Sequence, residues 1–299
     1  MTGYRLPSSA EMVRPHPLRF LAKPWAERRF TYGHYAAFLD RLAVPGRFRV
    51  VPLRDLARAP RDLPLVALRH DVDLRLASAV RFAELEHARG IAATYFLLHT
   101  APYYGTTKPG EAHHSPALLP VLRRLQDELG HEIGFHHDLV TLERVYGIAP
   151  GPYLEHELAW LRSAGLRVTG AAAHGSYWAH RLGFHNSYAF ARWDAPKPGH
   201  ATTNIGWKLD PTAFGLEYEA AELPCDHYAT DSHFDDQGSR WHPDALDLDA
   251  LRPGESLIVL VHSDHWDAGL GAKVVRQAVR VPQALLERRR RHALAATAR

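Results

Sequence analysis

Two kinds of segment alternate along the chain. Short, continuous apolar runs are typical of buried parallel strands, and apolar residues at every third or fourth position are typical of helices with one buried face. The apolar runs predict strands at residues 48–52, 65–68, 91–98, 131–135, 166–173 and 256–261. Strands that alternate with helices predict a parallel sheet covered by helices. This many units favours a closed or nearly closed (β/α) barrel over an open, doubly wound sheet.

The helical segments have recognisable starts and ends. Helices are predicted at residues 31–42, 74–89, 115–130, 153–164 and 274–295. Ser115 and Pro116 are typical of an N-cap and a first helical turn, and glycines 90, 130 and 165 each end a helix directly before a strand. We expect one barrel domain over residues 1–299, with an N-terminal extension to about residue 60 and a loop-rich insertion at about residues 175–254.

Composition excludes several classes of protein. Apolar residues make up 46% and charged residues 23%, which argues against wholesale disorder. No apolar stretch of about 18 residues is present, so no membrane span is expected. The single cysteine, Cys225, excludes an intramolecular disulfide or a cysteine zinc cage. The N-terminal sequence does not resemble a signal peptide, so we expect a cytoplasmic protein.

Charge and short motifs give no indication of nucleic acid or nucleotide binding. The net charge is +3, and the basic run at residues 288–291 is more typical of a solvated helix face than of a nucleic-acid site. The sequence has no glycine-rich phosphate-binding motif after its first strand. We therefore expect a different kind of ligand.

Histidine and aspartate collect where the predicted strands end. The chain has 21 histidines among 299 residues. Those that follow strands lie in the segments 70–73, 99, 136–138, 174 and 262–265. In a parallel barrel these ends meet at one face, where active sites lie. Histidine and carboxylate side chains suit a divalent metal such as zinc, cobalt or nickel, and such a centre can catalyse hydrolysis of an amide or ester.

Strand alternation suggests roles for the first of these segments. Residues two apart in an extended segment point to the same side, so Asp71 and Asp73 would share one pocket while His70 and Val72 face away. One carboxylate could then bind the metal and the other accept a proton. The alternative is that Asp73 caps the following helix.

These motifs together resemble a known family. The segments LRHDVD, ATYFLL and GHEIGFHHD are similar to those of the NodB-homology polysaccharide deacetylases, over about residues 31–270. The resemblance implies a distorted (β/α) barrel and a metal-dependent N-deacetylase. Residues 130–134 carry GHEIG intact, which places His136 on the family's first metal-binding histidine. The segment LVHSDHW places His262 on the general acid.

The sequence departs from the family pattern at two places. Direct alignment puts His70 on the catalytic base and Asp71 on the metal, whereas strand alternation favours Asp71 as base and Asp73 as ligand, which is the assignment we predict. Val140 stands where the family has its second metal-binding histidine. We predict His137 as the replacement, beside Asp73 and His136. Asp138 and His174 are the alternatives.

Further motifs resemble a divergent bacterial branch of the family, namely the HG at residues 174–175, the DS at 231–232 and a later tryptophan. The predicted substrate-binding residues are His174, Asp231, Trp241, His265 and Trp266. The expected substrate is an acetamido sugar or a glycan precursor. The alternatives are another amide hydrolase on the same fold, a barrel that only binds a glycan or protein partner, and a two-carboxylate glycosidase.

Overall fold

The structure is a computed structural model that describes residues 28–106, 113–197, 199–232 and 242–275. Trp241 and nearly all of the predicted closing helix, including the basic run at residues 288–291, lie outside these residues.

A curled parallel sheet forms the centre of the fold. Its strands are β1 (Arg49–Val50), β2 (Leu65–Val72), β3 (Thr94–Leu98), β6 (Glu132–His137), β7 (Gly170–Ala173), β8 (Tyr218–Glu219), β9 (His227–Thr230) and β10 (Ser256–Val261). The strand order is β8-β7-β6-β3-β2-β10-β9, with β1 also paired to β2, and every pair in it is parallel. The strands β4 (Gly105–Thr106) and β5 (His113–His114) form a separate antiparallel hairpin.

The sheet is a half-barrel, with β8 and β9 as its edge strands and no strand pairing between those edges in the described part of the chain. This shape is compatible with the predicted distorted barrel. The predicted strand at residues 256–261 matches β10, while the strand predicted at 65–68 continues to Val72. The longer β2 follows from its neighbour, because its residues from Arg69 to Val72 pair with β3.

Helices cover the outer face of the sheet. They are α1 (Tyr32–Leu42), α2 (Leu76–His87), α3 (Leu118–Arg123), α4 (Leu139–Tyr146), α5 (Pro150–Ser163) and α6 (Tyr177–Leu182). A π-helical turn at Arg124–Glu128 extends α3. The predicted N-cap at Ser115 was wrong, because Ser115 begins a turn that its carbonyl closes with the Leu118 N–H, and α3 starts only there. No helix among the described residues is long and apolar enough to cross a membrane.

The two faces of β2 contact different cores. Val66, Leu68 and Val72 pack in the large core beneath the helices, whereas Leu65 and Ala67 belong to a smaller core inside the curl. The alternation places Arg69, Asp71 and Asp73 on the inner side as well. The polar residues therefore lie above the inner core, at the carboxyl ends of the strands.

Two glycines make room for aromatic rings in this inner core. A Cβ atom at Gly134 would lie 2.3 Å from the ring of Phe96, and one at Gly170 would lie 2.3 Å from the ring of Tyr218. Both glycines are therefore required by close approach of side chains from the neighbouring strands. The Gly134 of the GHEIG motif thus has a packing role directly below His136.

Candidate metal centre

Three side chains at the carboxyl ends of three strands of the sheet converge on one point. Asp73 follows β2, His136 lies in β6, and His174 follows β7. The Nε2 atom of His136 lies 3.4 Å from Asp73 Oδ1 and 3.2 Å from His174 Nδ1, and the last two atoms are 3.5 Å apart. The three ligand atoms thus form a nearly equilateral triangle.

The triangle fits a metal ion. Ligands at about 2.0–2.2 Å from a tetrahedral zinc are separated from each other by about 3.3–3.6 Å, which is close to the three observed distances. Asp73 Oδ1 is buried and accepts no hydrogen bond from the described part of the chain, which is costly for a carboxylate oxygen without a cation. Nitrogen and oxygen donors of this kind suit zinc or a related first-row ion.

Hydrogen bonds around the site hold two of the three residues in place, His136 and Asp73. The Nδ1–H of His136 donates to the carbonyl of Ala172 at 2.9 Å, which turns Nε2 towards the triangle. This is the usual outer partner of a metal-binding histidine. The Leu74 N–H donates to Asp264 at 2.7 Å and thereby fixes the backbone that follows Asp73.

Asp71 lies directly beside the triangle, on the same face of β2. Arg69 donates two hydrogen bonds of 2.8 Å to the two oxygens of Asp71, and both side chains are buried. Asp71 Oδ2 lies 3.5 Å from His136 Nε2. Burial alone would favour the neutral carboxyl, but Arg69 and His136 together lower the pKa of Asp71, so it is ionised at neutral pH.

A second group faces the triangle from β9 and β10. The Nδ1–H of His262 donates to Asp231 Oδ1 at 2.6 Å, and that of His265 donates to Asp231 Oδ2 at 2.9 Å. The backbone N–H of His262 also donates to the carboxylate of Asp231. Both oxygens of Asp231 are therefore occupied by hydrogen bonds. This group is a histidine–carboxylate network, in contrast to the open oxygen of Asp73.

His262 connects the second group to the triangle. Its Nε2 atom lies 4.0 Å from Asp73 Oδ2, while Asp231 holds the opposite side of the ring. Burial disfavours the imidazolium, but the Asp231 carboxylate outweighs burial and raises the pKa of His262 to about 9. The ring can therefore carry a proton at neutral pH and present it at Nε2.

The electrostatics of the triangle favour positive charge. Burial lowers the pKa of His136, but the adjacent carboxylates of Asp71 and Asp73 raise it above its ordinary value. Conversely, the neighbouring imidazoles outweigh burial and lower the pKa of Asp73. The site attracts a cation, whether a proton or a metal ion.

The structure places His137 away from the predicted centre. Adjacent residues of a strand point to opposite faces, so His137 lies under the helices, where its ring is edge-on to Phe190 at 5.1 Å. Neither of its ring nitrogens has a hydrogen-bond partner in the described structure. His174, predicted as a substrate-binding residue, occupies the third corner of the triangle instead.

Two other residues considered in the sequence do not line the pocket, namely Trp266, a predicted substrate contact, and His70, which strand alternation had placed on the opposite face. Trp266 is fully buried against Phe30 and Tyr35 beneath the site, so its ring does not form a wall of the pocket. His70, the alternative base, is buried on the outer face of β2 and bonds to Glu86 at 2.6 Å. The aspartate pair at residues 71 and 73 thus lies at the site, as strand alternation predicted.

Two residues that support the site, Arg69 and Asn186, were not predicted from the sequence. The role of Arg69 was predictable, since a charged residue inside an otherwise apolar strand needs a buried partner. No sequence pattern indicated Asn186, because it lies in the loop-rich segment, 12 residues after His174. Its contacts are visible only in the folded chain.

The chain matches no protein-family model, and no curated protein is significantly similar to it. The resemblance to polysaccharide deacetylases therefore rests on the motifs at the strand ends alone. Any further statement about function rests on the side-chain geometry of the site.

Proposed function

We propose that this protein is a metal-dependent hydrolase that removes the acetyl group from an acetamido sugar or a glycan precursor. The observation that carries the proposal is the triangle of Asp73, His136 and His174, with an ionised carboxylate on one side and a histidine on the other. This arrangement contains the groups that amide hydrolysis requires, at the carboxyl ends of parallel strands.

The three triangle residues would hold the ion, and zinc fits their donor atoms best, with cobalt and nickel as alternatives. A bound divalent ion supplies Lewis-acid chemistry, since it lowers the pKa of water and polarises a carbonyl group. Three protein ligands leave a coordination position for water or substrate, as in catalytic rather than structural sites.

The protein's own groups provide the proton transfers. Asp71 is ionised and held by Arg69, so its carboxylate can accept the proton of the attacking water. His262, held at Nδ1 by Asp231, can donate its Nε2 proton to the departing nitrogen as the carbon–nitrogen bond breaks. Asp71 lies in β2 and His262 follows the neighbouring strand β10, so the proposed base and acid reach the triangle from different strands.

The choice of an acetamido sugar comes from the resemblance of the strand-end motifs to those of the deacetylases. GHEIG at residues 130–134 and the aspartates at residues 71 and 73 are the main support. The position of His262 at the end of β10 agrees with the acid role that the same resemblance implies.

The test is to measure acetate release from a panel of N-acetylated sugars and oligosaccharides by the zinc-loaded protein. Asp71→Asn should keep the metal but lower turnover by about 10²- to 10⁴-fold, the usual size of a general-base contribution. Asp62→Asn is the matched control, since Asp62 pairs with Arg49 on the surface, and its turnover should equal that of the wild type.

Three results would contradict the proposal in different ways. Metal binding with release of an amine from non-sugar amides alone would indicate another carbon–nitrogen hydrolase. A protein that binds glycans but holds no metal and is indifferent to Asp71→Asn would be a binding barrel. Full turnover by Asp71→Asn with the metal bound would remove Asp71 from the mechanism.

A further inference from the structure

The third corner of the triangle comes from a loop. His174 follows the last residue of β7 and precedes Gly175, so strand pairing holds it only on its N-terminal side, where its N–H donates to His137 O at 2.9 Å. Its side chain is 22% exposed, compared with 2% for His136. A ligand in this position needs support from elsewhere if the triangle is to keep its shape.

Asn186 provides a contact of this kind. It begins a 3₁₀ turn at Asn186–Ala189 and is buried. Its Nδ2 group donates to the carbonyl of His174 at 2.7 Å and to Asp138 Oδ1 at 3.0 Å. Its Oδ1 atom accepts from the Val140 N–H at 3.4 Å. The amide nitrogen therefore joins the loop after β7 to Asp138, and the amide oxygen binds the first turn of α4.

The partner of Asn186 is itself fixed. Asp138 caps α4, with its Oδ1 atom accepting from the Thr141 N–H at 3.4 Å. The backbone N–H of Asp138 donates to His99 Nε2 at 3.0 Å. Asp138 follows β6 two residues after His136, so the amide of Asn186 links the loop beyond one metal-binding histidine to the backbone of the other.

The position of Val140 explains why this link is needed. Val140 is buried in a small apolar cluster with Ala179, Phe184 and Tyr188. A histidine there would have to replace apolar contacts on the outer side of the fold. The third ligand is therefore supplied from the loop after β7, whose conformation strand pairing alone does not determine.

We infer that Asn186 is a positioning residue that holds His174 at the third corner of the metal centre by linking the loops after β6 and β7. The inference rests on the proposed metal-binding function. Its role is indirect, through hydrogen bonds that fix a ligand's backbone, and outer partners of this kind typically contribute 10- to 100-fold in metal affinity.

The test compares Co²⁺ and Zn²⁺ binding by wild type, Asn186→Leu and Ser187→Ala. Leucine resembles asparagine in shape but can neither donate nor accept, so Asn186→Leu should bind Co²⁺ about 10- to 100-fold more weakly. Its visible absorption at saturating Co²⁺ should also change, because the bands report ligand geometry. Ser187→Ala is the matched control in the same turn, since the hydroxyl of Ser187 contacts His185 and not His174. It should bind like the wild type.

Thermal unfolding of the metal-free proteins separates positioning from general destabilisation. If Asn186→Leu does not fold, Asn186→Ser, which is smaller and cannot clash, carries the same test. Wild-type affinity and an unchanged Co²⁺ spectrum in a folded Asn186 variant would overturn the inference and leave the metal centre standing. Failure of the wild type itself to bind either ion would overturn both.

Discussion

Replacement of His174 by alanine should remove most of the stabilisation of the protein by zinc, whereas replacement of His137 should not. His174 supplies two of the three edges of the triangle, those of 3.2 and 3.5 Å. Its loss leaves only the 3.4 Å pair of His136 and Asp73, a two-ligand site. His137 lies on the other face of β6 and touches none of the three ligand atoms, although it is the residue adjacent to His136.

The size of the effect follows from binding linkage. Zinc at 100 times its dissociation constant stabilises the folded protein by about 2.7 kcal/mol. With an unfolding entropy of about 2.1 cal/mol/K per residue, a change of 1 kcal/mol moves the Tm of this 299-residue chain by about 1.6 °C, so the wild type should gain about 4 °C. If losing His174 weakens binding 100-fold, the same zinc concentration contributes only about 0.4 kcal/mol, and Tm rises by about 1 °C.

The measurement is Tm by scanning calorimetry or fluorescence, with zinc and with a chelator, for wild type, His174→Ala and His137→Ala. Each variant is compared with itself, so a cavity left by His137 changes its baseline but not the zinc-dependent difference. Equal shifts in all three proteins would refute the assignment of His174. A shift lost in His137→Ala and kept in His174→Ala would restore the ligand set that the sequence predicted.

Three further predictions concern the surroundings of the site. Gly134→Ala should lower the free energy of unfolding by about 1–3 kcal/mol in urea titrations, because its Cβ would lie 2.3 Å from the Phe96 ring. Arg69→Leu should cost about 3–5 kcal/mol in the same assay, because it leaves Asp71 buried without its partner. For the metal-free protein, His262 has its pKa raised to about 9 from an unfolded value of about 6.5. Its contribution of up to about 3 kcal/mol is therefore full below pH 6.5 and should be lost as pH rises through about 9, which urea titrations at several pH values would reveal.

Each of these predictions has a control. Gly269→Ala meets no atom of the described residues within 4 Å and should change stability by less than about 0.5 kcal/mol. Arg49→Leu breaks an exposed pair with Asp62 and should change stability far less than Arg69→Leu does. His262→Gln should remove the loss of stability between pH 6.5 and 9. An Arg69 variant no worse than the Arg49 variant, or an alkaline loss that persists without His262, would contradict the electrostatic reasoning.

Periodicity was sufficient to predict the framework of the fold. The face of α1 predicted to be apolar, formed by Tyr35, Phe38, Leu39 and Leu42, is the face that is buried. The apolar run at residues 256–261 is a central strand. Such patterns are local, and they determine which face of a helix or strand can be buried against the sheet. The degree of closure of the barrel was less predictable, because it depends on edge strands of only two and four residues, β8 and β9, which have weak patterns.

The site was predictable only where it follows strand alternation. Asp71 and Asp73 share a face because they are two apart in an extended segment, and the structure places both beside His136. The same rule, applied to β6, excludes His137 from that face. His174 could not be chosen over Asp138 from the sequence, since the choice depends on how the loop after β7 is held.

The difference between the two histidine–aspartate groups is a property of the folded chain alone. Asp73 and Asp231 each follow a strand and each lie beside two histidines, so residue type and spacing do not distinguish them. The oxygens of Asp231 accept hydrogen bonds from His262 and His265, which orients the ring of His262, the proposed acid. No described residue donates a hydrogen bond to the buried Asp73 Oδ1, so an ion is the partner that would satisfy it. Hydrogen-bond occupancy, rather than the identity of the ligands, therefore separates a metal-binding carboxylate from one that positions an acid.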